Sequence, residues 1–420
     1  MNTKNRFDQL FFPRIKESWK GIDPDEFIGF LQPKCQEIIT ADKLRSLLNE
    51  GRKLRVKFGI DPTAAGIHIG HLVPVMLLEQ FIKAGHHIDF IIGDFTALVG
   101  DPTERETGRI PLTPEKIVEN MQTFQDQVGK FLDLSLVQVH HNSDWLNPMM
   151  LCEIFAIFQQ INLTEAIQRE DFRKRMRNTQ AVSLAEVCYG VLMGIDSVHL
   201  STDVEIGGID QLLNFQQCRK IMKDKGLEEE VALMVPILEG TDGDGKKMSK
   251  SFKNTVLVTA SLEDKFGKIM SIPDRLIFQY FCSFANVHQR ELDALRFFVN
   301  SDPMEAKKQL ATFLVALETK DLSKGLSERE KFESKFSRRQ INESDCILLT
   351  ADKGQDLLGL LFASGQFKSK GELRRLFNQN AIRRISDTGN ESILMTSTQV
   401  NQSCKLRVGK LRFFMIKVGK

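Results

Sequence analysis

The chain has 420 residues, 42% of them hydrophobic, and its 57 Lys and Arg nearly balance 55 Asp and Glu. That length is enough for two or three globular domains with cores of their own. No window approaches the roughly 18 consecutive apolar residues of a membrane span and no signal-peptide run opens the chain, while the seven cysteines (Cys35, Cys152, Cys188, Cys218, Cys282, Cys346 and Cys404) include no CxxC pair, which excludes a disulfide framework and a zinc ribbon and leaves a soluble, cytoplasmic protein as the expectation.

Residues 1–45 are expected to form an N-terminal helical extension. Beyond them, LRVKFGI, HLVPVMLLEQFIKAG and HHIDFIIGDF follow the rhythm of strand, helix and strand, which predicts a parallel α/β sheet. Pro62 and Gly66 mark the turn into that helix, and Gly85 stands where a glycine just past a helix end is expected. From 256 to 345 the pattern is helical, with SLEDKFGKIM, HQRELDALRFFV and DPMEAKKQLATFLVALE carrying apolar positions at helical spacing. The stretch 320–345 is polar enough to be an exposed helix or a linker. Residues 353–420 then carry 13 Lys and Arg against 4 Asp and Glu, a net of +9, while the preceding 352 residues sum to −7. A small basic module is therefore appended to an acidic body.

Two short segments carry chemistry. Phe58-Gly59-Ile60-Asp61-Pro62-Thr63 runs off the first predicted strand, and His68-Ile69-Gly70-His71 opens the helix after it. Free N–H groups and the helix dipole attract phosphate oxygens there, and Gly70 removes a side chain that would hold a nucleotide off. Lys247-Met248-Ser249-Lys250-Ser251 lies in the glycine-rich stretch GTDGDGKKMSKSFKN, where two lysines can swing over a triphosphate. The chain contains no GxxxxGK[ST], so a P-loop is excluded.

Together, and in this order, the two segments resemble the hallmark motifs of the class I aminoacyl-tRNA synthetases. Within that class FGIDPTAAGIHIGHLVPV, IIGDFTALVGDPT, YGVLMGID, GGIDQ and KKMSKS resemble the bacterial tyrosyl-tRNA synthetases over the chain beyond about residue 45. The resemblance implies a Rossmann-like catalytic domain over 46–255, a helical anticodon-binding domain over 256–345, a small α+β S4-like RNA-binding domain over 346–420, and a homodimer. It implies ATP, with magnesium accompanying the nucleotide and no protein metal site, and tRNA as the acceptor. Gly59, Asp61, Thr63, His68, Gly70, His71, Gly208 and Met248 would hold ATP, Asp210 the ribose, and His68, Thr63, Lys247, Lys250, Arg105 and Arg109 the phosphates in the transition state.

The same resemblance assigns the amino-acid pocket. Asp196 would accept the substrate phenol, Asp101 and Tyr189 would bind the ammonium, and Gln211 would lie near the carboxylate. Tyr189 is one of only two tyrosines, with Tyr280, against 30 phenylalanines. Three positions depart from the pattern: Met193 replaces an ammonium-binding glutamine, Ile209 a Ser or Thr, and Glu104 a glycine, while Lys57 stands where one branch has a second phenol-binding tyrosine and another branch has lysine. A thioether substitutes poorly for an amide acceptor, so the pocket either takes tyrosine with a compensating acceptor or takes a tyrosine analogue. In the basic tail Lys368, Lys370, Arg374 and Arg375 would meet RNA phosphates, with Lys410 and Arg412 on a closing strand, although Leu373 and Asn380 stand where the module prefers a small residue and a glycine. A paralogue serving specialised metabolism and an inactive RNA-binding homologue are the rival readings.

Overall fold

The computed structural model describes residues 6–62, 66–103, 113–168, 170–249, 252, 254–337, 346–386, 391–409 and 412–419. The chain divides into two compact units, Met1–Gly325 and Leu326–Lys420. The strands of the first are β1 (Glu37–Ile39), β2 (Arg55–Ile60), β3 (His87–Ile92), β4 (Gln138–His141), β5 (Val204–Gly208) and β6 (Val231–Val235). They form one sheet in the order β1-β6-β5-β2-β3-β4. Five of them run parallel, and β1 is antiparallel to β6. The parallel sheet predicted from the alternating pattern is therefore present. β1, however, lies inside the stretch expected to be a helical extension, and its three residues Glu37–Ile39 close one sheet edge. Three residues are too few to display an alternation, so only pairing with β6 reveals them as a strand.

Parallel strands are covered on both faces, so they read as nearly continuous apolar runs. Every residue of β6 is buried, as are five of the six in β3. Helix Ile69–Ala84 buries ten of its residues and ends at Gly85, whose φ of +88° is the left-handed conformation a glycine adopts without penalty. Helices Tyr189–Leu200 and Leu212–Asp224 pack so closely that a Cβ on Gly194 would lie 2.6 Å from Ile221 Cδ1 and 3.2 Å from the Cys218 Cα.

Helices Leu262–Met270, Asp274–Phe284, Leu292–Ser301 and Pro303–Thr319 occupy the segment read as helical. Helix Arg6–Lys16 is tied back to them: both Arg14 terminal nitrogens reach Glu291 at 2.7 Å. The fully buried ammonium of Lys34 donates to the Ala285 carbonyl at 2.7 Å, just past the end of Asp274–Phe284, where cations complement the helix dipole. Among the described residues no helix is long and apolar enough to cross a membrane.

The second unit contains β7 (Ile347–Ala351), β8 (Gln355–Asp356), β9 (Ile382–Ile385), β10 (Glu391–Ile393), β11 (Gln399–Val400), β12 (Cys404–Val408) and β13 (Arg412–Val418). Five make a sheet in the order β10-β9-β12-β13-β7, in which only β13 and β7 are parallel, and β8 pairs with β11. Helices Leu357–Ala363 and Lys370–Asn378 share a core with this sheet, built from Leu361, Leu373, Phe377, Leu406, Phe414 and Ile416. Leu373 is a core residue of that helix, and Asn380 takes φ +53°, a left-handed position that glycine or asparagine fills most readily. Both departures from the S4 pattern thus have local structural roles.

Replacing Gly194 by alanine forces a methyl into the helix contact and is expected to lower the unfolding free energy by about 1–3 kcal/mol, measured by urea denaturation.

Candidate active site

The chain leaves β2 to build β3 and β4 on one side, then returns to lay β5 against the other edge of β2. Loops at the carboxyl ends of β2 and β5 therefore diverge, and a ligand crevice opens at such a switch point. The cleft there has a volume of about 570 Å³. Gly59 and Asp61 come from the β2 side, and Gly208, Asp210 and Gln211 from the β5 side.

His68 caps helix Ile69–Ala84 at the mouth of the cleft, and its ring lies 3.8 Å from that of His71, centroid to centroid. The His68 N–H donates to His71 Nδ1 at 3.2 Å. A Cβ on Gly70 would sit 3.0 Å from His68 Nδ1 and 3.9 Å from Met248 Cβ, so glycine keeps the helix N-terminus open. The lysine loop closes the other lip. Met248 donates its N–H to the Leu238 carbonyl at 2.9 Å, and Asn254 clamps the turn by accepting from the Ser249 N–H at 2.8 Å and donating to the Lys247 carbonyl at 3.3 Å. At its base the Tyr280 hydroxyl donates to the Glu239 carbonyl at 2.7 Å, and Arg275 pairs with the Glu239 carboxylate.

Inside the cleft the carboxylates are individually held. Asp61 accepts from Tyr189 Oη at 3.0 Å and Thr96 Oγ1 at 2.7 Å. Burial, and then the Asp61 charge, push the Tyr189 phenol well above its ordinary range, so it stays a donor. Asp101 accepts from Gln211 Nε2 at 2.8 Å, and Gln211 is oriented in turn by Asn214 Nδ2 at 2.6 Å. Deeper still, the buried Asp196 accepts from Trp145 Nε1 at 2.7 Å and Asn142 Nδ2 at 3.3 Å. Burial pushes its carboxyl up to about 7, against the opposing pull of Lys57 and these two donors. Trp145 is itself stacked on His199 at 4.4 Å.

Lys57 is buried and pairs with Glu205 at 2.8 Å. The Met193 side chain and Ile209, two of the departures from the family pattern, pack together against Phe215, Ala232 and Met234. One amide and one hydroxyl of the pattern are thus exchanged for a common apolar contact.

The structure gathers Lys57, Gly59, Asp61, His68, Gly70, His71, Asp101, Tyr189, Met193, Asp196, Gly208, Asp210, Gln211, Lys247 and Met248 around this one cleft. Thr63, Arg105, Arg109 and Lys250, as well as Lys410 of the tail, lie outside the described residues. In the second unit Lys368, Lys370, Arg374 and Arg375 are exposed at and before the first turns of helix Lys370–Asn378. Arg412, also exposed, opens β13 with its guanidinium 4.8 Å from the Phe367 ring centre. Sequence reasoning missed Thr96, Asn142, Trp145, Glu205, Asn254 and Tyr280. Only the polar run Asn142-Ser143-Asp144-Trp145, directly after a strand end, carried a signal.

A family model described as tRNA synthetases class I (W and Y) matches residues 49–331. The chain is 35% identical to a tyrosine–tRNA ligase of Aquifex aeolicus over 400 residues, covering 94% of this chain and all of that protein. It is also 37% identical to one of Carboxydothermus hydrogenoformans over 382 residues, covering 89% and 92% of the two. The chain belongs to the tyrosine–tRNA ligase family of class I synthetases. Members of this family use ATP, as the order of the two motifs implied. Their fold is shared by a C-terminally truncated mitochondrial tyrosyl-tRNA synthetase of Aspergillus nidulans, with a TM-score of 0.60 and 22% identity over 79% of this chain and 99% of that one. It is shared too by an Archaeoglobus fulgidus tyrosyl-tRNA synthetase complexed with L-tyrosine, with a TM-score of 0.57 and 22% identity over 73% of this chain and all of that one.

Asn254 holds the synthetase loop by two bonds at once. Asn254→Ala is expected to slow ATP-dependent adenylate formation about tenfold in single-turnover kinetics, because the turn that carries Lys247 loses both of these bonds.

Proposed function

We propose that the protein is a tyrosine–tRNA ligase: it activates tyrosine with ATP to tyrosyl-adenylate and transfers the acyl group to tRNA. The observation that carries this reading is Asp196, a buried carboxylate held by Trp145 and Asn142 deep in a cleft whose mouth is the N-terminus of helix Ile69–Ala84. In its ionised form Asp196 accepts the phenolic hydrogen. Phenylalanine leaves that acceptor buried and unpaired, and the loss is the basis of discrimination. Asp61, Asp101 and Tyr189 supply acceptors for the substrate ammonium, which compensates for the amide missing at Met193. A tyrosine analogue is not favoured, because the relatives sharing almost the full length of this chain are tyrosine–tRNA ligases.

The substrate carboxylate attacks the α-phosphorus in line, the Pα–O bond to pyrophosphate breaks, and the ribose is held at Asp210. The N-terminus of helix Ile69–Ala84, with His68 and His71, and Lys247 from the loop stabilise charge developing on the leaving pyrophosphate, with Thr63, Arg105, Arg109 and Lys250 assigned to the same task. Magnesium accompanies ATP and balances its charge. A terminal adenosine hydroxyl of tRNA then attacks the acyl carbon and releases AMP. Most of the acceleration comes from positioning and preorganised charge.

Three further assignments belong to this reading. The segment 256–345 contacts the anticodon, and the exposed Lys368, Lys370, Arg374, Arg375 and Arg412 with Lys410 contact RNA phosphates of the same tRNA. The reaction takes place in the cytoplasm. The chain acts as a homodimer, supported by an apolar helix face on which Leu151 and Phe155, one turn apart, are 69% and 55% exposed beside Met150 at 62%.

Pyrophosphate exchange tests the first step and charging of total tRNA the second. Tyrosine is expected to support both, and exchange with an analogue but not with tyrosine would sink the reading. Protonation turns Asp196 from acceptor to donor, so with its carboxyl at about 7 the KM for tyrosine is expected to rise about fivefold from pH 7 to pH 6. Arg374→Ala with Arg375→Ala should lower charging and spare exchange. Leu151→Glu with Phe155→Glu should halve the mass found by sedimentation; an unchanged mass would rule that face out as the dimer contact.

A further inference from the structure

Lys57 and Glu205 are direct cross-strand neighbours on β2 and β5, each 2% exposed, and their charges meet at 2.8 Å. The Lys57 ammonium has two further partners on helix Tyr189–Leu200: the Met193 carbonyl at 3.2 Å and Ser197 Oγ at 2.5 Å. Those residues flank Asp196 within one helical turn. A single ammonium therefore ties the turn carrying the phenol acceptor to two strands of the sheet. The contact at Met193 is made by its backbone, so it survives the exchange of the family's glutamine for methionine.

Ionisable groups around this turn come from several elements. Lys57 stands on β2, Glu205 on β5, Glu230 just before β6, Cys218 on helix Leu212–Asp224, and Tyr189, bonded to Asp61, on the helix itself. Carboxylate and thiol donors of Glu205, Cys218 and Glu230 lie within 4.8 Å of one another, a spacing that suits a cation. The cation that faces them is Lys57. Burial, and then the Glu205 charge, hold the Glu230 carboxyl well above its ordinary range. Burial likewise holds the Cys218 thiol well above its own range. Against burial, which alone would lower it, Glu205 and Glu230 raise the Lys57 ammonium, so it remains charged. The ammonium thus faces Glu205 directly, and its charge opposes the rise that burial imposes on the Asp196 carboxyl.

We propose that the buried Lys57–Glu205 pair, with Ser197, is the positioning device for Asp196: it fixes the turn that carries the phenol acceptor and supplies a positive charge behind it. Selection of tyrosine over phenylalanine then depends on an ion pair set into the sheet behind the pocket. This inference rests on the tyrosine–tRNA ligase reading and adds Glu205 and Ser197 to the residues that determine specificity. Breaking a buried ion pair on one side leaves an uncompensated charge, so the informative change removes both charges at once.

The test compares the full-length parent with Lys57→Met plus Glu205→Met, and separately with Ser197→Ala, in pyrophosphate exchange from pH 6 to pH 9 with tyrosine, phenylalanine and varied ATP. For the double variant the KM for tyrosine is expected to rise about tenfold, the tyrosine-to-phenylalanine ratio of kcat/KM to fall about tenfold, and the acid limb to move up by about one pH unit, with the KM for ATP within about twofold of the parent. Ser197→Ala, which keeps both charges, is expected to raise the KM for tyrosine about threefold without moving the limb. A folded double variant with the parent's limb and ratio overturns the proposal. If the double variant does not fold, Ser197→Ala decides alone, and an unchanged KM for tyrosine overturns the proposal. A parent that shows no tyrosine exchange at all refutes the functional reading itself, an outcome distinct from unchanged variants of an active parent.

Discussion

Parallel strands all end at the same edge of their sheet, and a chain that builds outward from one strand in both directions must leave two loops parting above that edge. Here the parting falls between β2 and β5. The rest of the active-site architecture depends on that geometric constraint. Gly59 and Asp61 stand on one lip, Gly208 and Asp210 stand on the other, and the N-terminus of the helix that starts at Ile69 lines the gap through His68, Gly70 and His71. No residue creates the crevice. The residues line what the topology has opened, and they can change considerably without closing it.

The cleft grades from charge tolerance at its mouth to charge control at its floor. Near the mouth a helix terminus and the loop carrying Lys247 line the cleft. At the floor each carboxylate is assigned donors: Tyr189 and Thr96 to Asp61, Gln211 to Asp101, and Trp145 and Asn142 to Asp196. In that low-dielectric setting an unpaired group would be costly. Such pairing holds the acceptors in place before any substrate arrives, so little reorganisation is left for the binding step.

Much of this was legible in the sequence, and the limits have physical reasons. The parallel sheet, the helix ended by Gly85 and the helical segment after residue 256 follow from periodicity and turn chemistry, which act over a few residues. The two motifs are local too, and His68, Gly70, His71 and Lys247 stand around one cleft as their residue types suggested. Long-range pairings were not legible. β1 is a strand only because β6 lies beside it, with Ile38 opposite Leu233, 195 residues further on. Trp145 and Asn142 reach Asp196 across about fifty positions, and Tyr280 supports a loop from a separate helix. Met193 showed the opposite limit: its side chain departs from the family pattern, but the contact the structure gives it beside Asp196 is made through a carbonyl that any residue would supply.

The hydrogen bond from Trp145 to Asp196 has an optical consequence. Of the chain's two tryptophans, Trp19 is stacked on Phe30 and faces Phe27 in an apolar cluster of the N-terminal helices. Trp145 instead donates its indole N–H to the buried Asp196 carboxylate. Indole emission responds to nearby charge and to the loss or gain of a hydrogen-bond partner, so the molecule carries a built-in fluorophore bonded to a carboxylate that lines the cleft. The second indole supplies a steady background against which that signal is read.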